Sequence, residues 1–143
     1  MVFYIKGRHK FGNVVDVYVS NLLKHLKLHR LSKNSVTVEF VESLEKGAIY
    51  GVCDAEGTEA TIQIARTTRA GKVSFMEQMF SISHEMVHAK QFFRKELSNT
   101  EDGEWKWKNK KADGYKYKNQ PWEKEATRLE NELFLKCFPF NMI

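Results

Sequence analysis

The stretch best equipped for chemistry is His84-Glu85-Met86-Val87-His88, the pattern H-E-x-x-H. Residues four apart share one face of a helix, so His84 and His88 can offer two imidazole nitrogens to a single metal ion. Glu85 stands beside that seam, where its carboxylate can hold and deprotonate a water whose pKa zinc lowers toward neutrality. The competing reading is a surface helix that carries two histidines and a glutamate by chance. The apolar pattern favours the metal. Phe75, Met79, Ile82, Met86 and Phe93 form a stripe roughly opposite the histidines at 100° per residue, so a helix from about Ser74 to Lys95 can pack a core and bind an ion with different faces.

Two histidines leave a catalytic zinc site short of a ligand, because such sites use three protein ligands and one open position. No histidine follows His88, and Gln91 and Arg94 stand where a longer three-histidine motif would place Gly and His. A final helix, with Asn119 as its cap and Pro121 in its first turn, is expected to run to about Lys136 and supplies four glutamates. Its apolar stripe is Trp122, Ala126, Leu129, Leu133 and Cys137. Glu123 and Glu130 flank that stripe, whereas Glu125 and Glu132 fall toward Lys124, Arg128 and Lys136 on the face assigned to solvent. Small Ala126 leaves room for close approach to the histidine helix, which makes Glu123 the preferred third ligand. Glu130 either orients a ligating histidine or is a surface charge.

The two motifs together, His84-Glu-Met-Val-His88 and Pro121-Trp-Glu123-Lys-Glu-Ala126, resemble those of the glutamate-zincin (gluzincin-like) metallopeptidases, whose third ligand lies in an E-x-x-A type motif on a downstream helix. Within that group the chain is most similar to small phage and prophage metallopeptidases, related loosely to ImmA/IrrE-like and SprT-like proteins. It departs from the SprT-like pattern in lacking a third histidine. The resemblance covers roughly residues 35 to 136 in the order of elements. It implies a minimal zincin fold, zinc held by His84, His88 and Glu123, Glu85 as general base, and a protein or peptide substrate.

The remaining elements must position these groups. Val2–Lys6 reads as a short strand or an ordered tail, and Val15, Tyr18, Val19, Leu22 and Leu26 predict a helix from Asn13, as its cap, to about Arg30. His25 and His29 on that helix lack an acidic neighbour and are read as solvent-edge residues. Alternation over Ser35–Val41 predicts a half-buried strand. Ala48–Cys53 and Ala60–Arg66 predict a hairpin about the turn at Asp54–Thr58. Only alternate residues are apolar in Thr61–Ala65, so this strand is expected at a sheet edge, free to pair with an extended peptide. The expected class is α+β: an N-terminal helix, a three- to four-stranded mixed sheet, the H-E-x-x-H helix and the glutamate helix.

After a polar loop at Leu97–Gly103, Trp105, Trp107, Tyr115 and Tyr117 alternate with lysines and predict an inserted hairpin over about 104–118 with the four aromatics on one face. Three roles stay open for them: cover for a core, a wall of the substrate cleft in which Tyr115 or Tyr117 donates to an oxyanion, or a base-stacking platform. The last would make the chain a regulatory or inactive zincin-fold module that grips nucleic acid or a host protein. Its net charge of +5, from 23 Lys and Arg against 18 Asp and Glu, is too modest to make nucleic acid the leading partner.

At 143 residues, 42% of them hydrophobic and 29% charged, the composition predicts one soluble globular domain. No apolar run is long enough to span a bilayer and no secretory signal is read at the N-terminus, so the expected location is cytoplasmic, the host cytoplasm for a phage-encoded chain. Cys53 and Cys137 lack metal or redox spacing and are expected to be reduced and buried.

Overall fold

Val36, Val38 and Phe40 alternate with polar residues in the sequence, and they are the buried side of the strand around which the sheet is built. In the computed structural model, which describes residues 1–7, 10–99 and 104–143, strand β2 (Ser35–Val41) runs parallel to β1 (Val2–Lys6) on one side and to β4 (Glu59–Ala65) on the other. Strand β3 (Gly51–Glu56) closes the row antiparallel to β4, giving the order β1-β2-β4-β3. Parallel β1 and β2 need a crossover, and helix α1 (Gly12–His25) provides it.

Strand β4 is therefore interior, hydrogen-bonded on both sides, and not the edge expected from its alternation. Ala60, Ile62 and Ile64 face the core while Thr61 and Gln63 lie on the face that no helix covers. One dry and one wet face produce the same polar–apolar alternation as an edge does. The free edge beside the histidine helix belongs to β3.

Helix α1 buries Val14, Val15, Tyr18, Val19, Leu22 and Leu23, and its N-cap is Phe11 rather than Asn13, with no side-chain capping bond. It stops five residues short of Arg30. Leu28 N–H donates to Leu23 O at 2.8 Å and Lys27 N–H to Lys24 O at 3.0 Å, a Schellman closure with Lys27 at φ 60°. That turn drives Leu28 into the core. His25 and His29 are exposed, as expected.

Two short strands, β5 (Thr67–Thr68) and β6 (Gly71–Lys72), lead into helix α2 (Phe75–Phe93). Ser74 caps it by accepting from Glu77 N–H at 3.2 Å. Met79, Ile82 and Met86 are buried as the stripe predicts, but Ser83, Val87, Ala89 and Gln91 are buried too. Helix α2 lies between the sheet and helix α3 (Pro121–Cys137), so its dry surface is wider than one stripe. Tyr18 Oη ties α1 to α2 by donating to Met79 O at 2.9 Å. In α3, Pro121 takes the first turn, as predicted, and Gln120 rather than Asn119 is the cap residue.

The aromatic segment departs most from expectation. Strand β8 (Trp105–Trp107) pairs with β9 (Lys110–Lys111) across a two-residue turn at Lys108 and Asn109, both at positive φ, and with β7 (Leu97–Asn99) on its other side. Residues 97 to 99, expected as loop, thus form a strand, while 100 to 103 lie outside the described residues. Tyr115 lies outside the ladder and Tyr117 opens a 3-10 turn leading to α3. The hairpin closes in two residues because the primed geometry of that turn matches the twist of the flanking strands. Cys53 and Cys137 are free thiols; Cys137 is buried as expected, whereas Cys53, on the edge strand β3, is only half-buried. No helix among the described residues is long and apolar enough to cross a membrane.

Candidate metal centre

His84 and His88 project from successive turns of α2, with ring centroids 5.0 Å apart, toward the first turn of α3. There Glu123 meets both. His84 Nε2 lies 3.0 Å from Glu123 Oε2, and His88 Nε2 lies 2.8 Å from Glu123 Oε1. The three donor atoms fall within 4.8 Å of one another, the kind of N, N, O set that a divalent ion gathers.

The outer nitrogens are fixed as firmly as the inner ones. Glu130 Oε2 stands 2.8 Å from His84 Nδ1, and Gln91 Oε1 stands 2.8 Å from His88 Nδ1. Gln91 is fully buried, and its amide nitrogen donates to Trp122 O at 3.0 Å and to Glu125 Oε1 at 3.1 Å. Its oxygen must therefore face His88, and because that oxygen only accepts, His88 Nδ1 must carry the hydrogen. The Glu130 carboxylate imposes the same on His84. In both neutral rings the lone pair then sits on Nε2, aimed at the Glu123 carboxylate. Lone pairs facing a carboxylate repel unless a cation lies between them, either protons or a metal ion.

Side-chain ionisation follows this geometry. Burial pushes the His84 imidazole down, but the carboxylates of Glu123, Glu85 and Glu130 outweigh it and hold its pKa up at about 9 in the metal-free protein. His88 is raised for the same reason, against its burial. Burial alone would raise Glu123, yet the two imidazoles hold it well below the usual carboxylate range. Glu85 moves the other way: burial lifts its pKa, and the histidines only partly offset this. It is 8% exposed and has no hydrogen-bond partner among the described residues, so its carboxylate is free to receive a proton from a molecule in the cleft.

Two cavities flank the centre. One of about 460 Å³ adjoins His84, and one of about 300 Å³ adjoins His88; Ile49, Gly51, Glu85 and Tyr117 line both. Gly51 opens β3 and has no side chain for a reason of space: a Cβ there would lie 3.3 Å from Glu85 Cγ and 3.2 Å from Ile64 Cδ1. Tyr117 Oη donates to Glu123 Oε2 at 3.1 Å, and burial together with that carboxylate pushes the phenol up to about 12.

Most of the residues singled out from the sequence converge. His84, Glu85, His88, Glu123 and Glu130 form one cluster, with Tyr117 over it. Tyr115 does not join them: it packs edge-on against Trp122, with centroids 6.3 Å apart. Trp105 stacks on Trp122 at 6.1 Å and lines the smaller cavity, whereas Trp107 packs against the same ring at 6.2 Å and lines neither. These tryptophans, both half-buried, cover a satellite core with Leu97 and Ala112, the first of the three roles the sequence left open. Glu125, assigned to the solvated face, instead accepts from Lys90 at 3.1 Å and from Gln91, because the end of α2 reaches over that face of α3. The pairing holds Glu125 below its ordinary range despite burial. Gln91 and Gly51 escaped the sequence reading. Gln91 carried a signal, a lone amide three residues past His88 on the ligand side of the helix; Gly51 carried none.

No family model, curated protein or solved structure matches the chain.

Proposed function

We propose that the chain is a zinc-dependent metallopeptidase of the glutamate-zincin type. One observation carries this reading: His84 and His88, their tautomers fixed from outside, converge with Glu123 beside a buried carboxylate, Glu85, that has no hydrogen-bond partner among the described residues. Zinc bound there supplies Lewis acidity, which makes water a nucleophile near neutral pH and polarises a peptide carbonyl. Glu85 accepts the proton that water loses and passes it to the departing amine, a role suited to a carboxyl raised by burial. The free edge of β3 offers backbone groups to align an extended substrate. Tyr117, within reach of Glu123, is the tyrosine placed to donate to a developing oxyanion.

The test is metal content together with peptide cleavage. The purified protein is expected to bind one zinc ion and to cut peptides, and Glu85→Gln to keep the metal while losing at least about a hundredfold in rate. Cleavage by a Glu85→Gln protein as fast as by its parent would overturn the mechanism.

A second reading, a zincin-fold binding module, is favoured by the placing of charge: residues 104 to 118 hold six lysines against two acidic residues, most of the net charge of the chain. Binding of single-stranded DNA that weakens steeply with salt and ignores Glu85→Gln would favour that module over the enzyme.

A further inference from the structure

The two cavities beside the metal centre differ in chemistry. The larger one is lined by three carboxylates, Glu77, Glu85 and Glu130, with Tyr50, Phe80 and Ser81, and no lysine or arginine among the described residues lines it. The smaller one shares Glu85 with it and touches His88 and Glu123 of the metal centre, but the rest of its wall is apolar, with Val52, Phe92, Leu97, Trp105 and Trp122. Tyr117 stands between them. Glu77 lies two turns before His84 on the same face of α2, about 10 Å along the axis, close to the reach of a long side chain from the metal. Its carboxylate has no ion pair among the described residues and is exposed at the mouth of the cavity. Glu77 and Glu130 line only the larger cavity, so that side of the metal centre carries the additional negative charge on a chain whose net charge is +5. Glu85, nine-tenths buried and without a hydrogen-bond partner among the described residues, lines the groove that both cavities share, which marks that groove as built to receive a ligand's donor.

From this asymmetry we infer that the groove selects peptides with a lysine or arginine on the side of the cleaved bond that meets Glu77 and a large apolar residue on the other. The inference rests on the metallopeptidase reading for the bond-breaking step and on groove chemistry alone for selection. The alkyl stem of the cationic residue lies against Phe80 and Tyr50 while its charged head meets Glu77. On the far side, Trp105 and Trp122 bury an apolar side chain.

The experiment uses the zinc-loaded protein and fluorescent decapeptides that differ at one position, Lys, Gln or Glu, with Leu or Ser across the bond. Cleavage is mapped by mass spectrometry and binding is followed by anisotropy. Lys is expected to be preferred over Gln by about tenfold, and Glu77→Lys to abolish or reverse that preference. Glu132→Lys makes the same charge change on the exposed side of α3 and is expected to leave the ratio unchanged. Tighter binding of the Lys peptide, lost in Glu77→Lys, supports the pocket even if nothing is cut, in which case the hydrolytic reading fails alone. Cleavage or binding indifferent to Lys, or a preference insensitive to Glu77→Lys, overturns the selection.

Discussion

Gln91 Oε1 accepts from His88 Nδ1 at 2.8 Å, and the same amide donates to Trp122 O and Glu125, so one buried side chain fixes the tautomer of a ligand and ties it to the helix that carries Glu123. Gln91→Leu strands His88 Nδ1–H and the Trp122 carbonyl. Its expected effects are a loss of zinc affinity of about 10- to 100-fold and a destabilisation of about 1–3 kcal/mol. Competition with a chromophoric chelator and urea unfolding measure the two, and unchanged zinc affinity would remove Gln91 from the centre.

In the metal-free protein the histidines confer a pH-dependent stability of definite sign. His84 is raised from 6.5 to about 9 and His88 is raised as well, so their stabilising contribution is complete below 6.5 and is lost as pH climbs to about 9. Glu123 is lowered, so its contribution is present above 4.5 and is lost as pH falls below that. Zinc replaces the protons on Nε2, so the zinc-induced rise in Tm is expected to grow between about pH 6.5 and 9. Thermal unfolding with chelator and with zinc across that range checks it; a zinc-induced rise that shrinks with pH contradicts the assignment.

Gly51 is a tolerance set by Glu85. Its φ is not in the left-handed region, so Gly51→Ala fits the backbone, but the new Cβ presses on Glu85 Cγ. A shift of a few tenths of an ångström in the base is expected to cost roughly tenfold in peptide turnover while stability changes by less than about 1 kcal/mol. Paired kinetics and unfolding curves decide the matter, and an equal loss in both would make the glycine merely structural.

Trp105→Ala and Trp107→Ala report on packing. Both rings lie on Trp122, so each replacement is expected to destabilise the protein by about 2–3 kcal/mol. Affinity for single-stranded DNA, measured under conditions where the variants stay folded, is expected to be unaltered. A selective loss of DNA binding with stability intact would favour the stacking platform instead.

Local periodicity made much of this protein legible. Ser35–Val41, the histidine helix and the glutamate helix have the predicted type and nearly the predicted bounds, because each carries a clear period of 2 or 3.6 and, in α2 and α3, a start signal at Ser74 or Pro121. Helix ends were less legible: α1 and α2 both turn off through a lysine at positive φ, Lys27 and Lys95, where no glycine announces the turn.

What the sequence determined by itself was the donor inventory: His84, Glu85 and His88 are joined by helix geometry alone, helix side narrows the third donor to Glu123 or Glu130, and small Ala126 favours Glu123. Only the tertiary structure decided which groups meet across elements. Strand order made β3 the free edge, the crossing of α2 over α3 turned Glu125 and Gln91 inward, and a two-residue turn sent Tyr117 to the metal centre and Tyr115 away. Helical and strand periods fix which side of an element a residue occupies, whereas pairing partners depend on contacts between segments far apart in the chain, which no local period encodes.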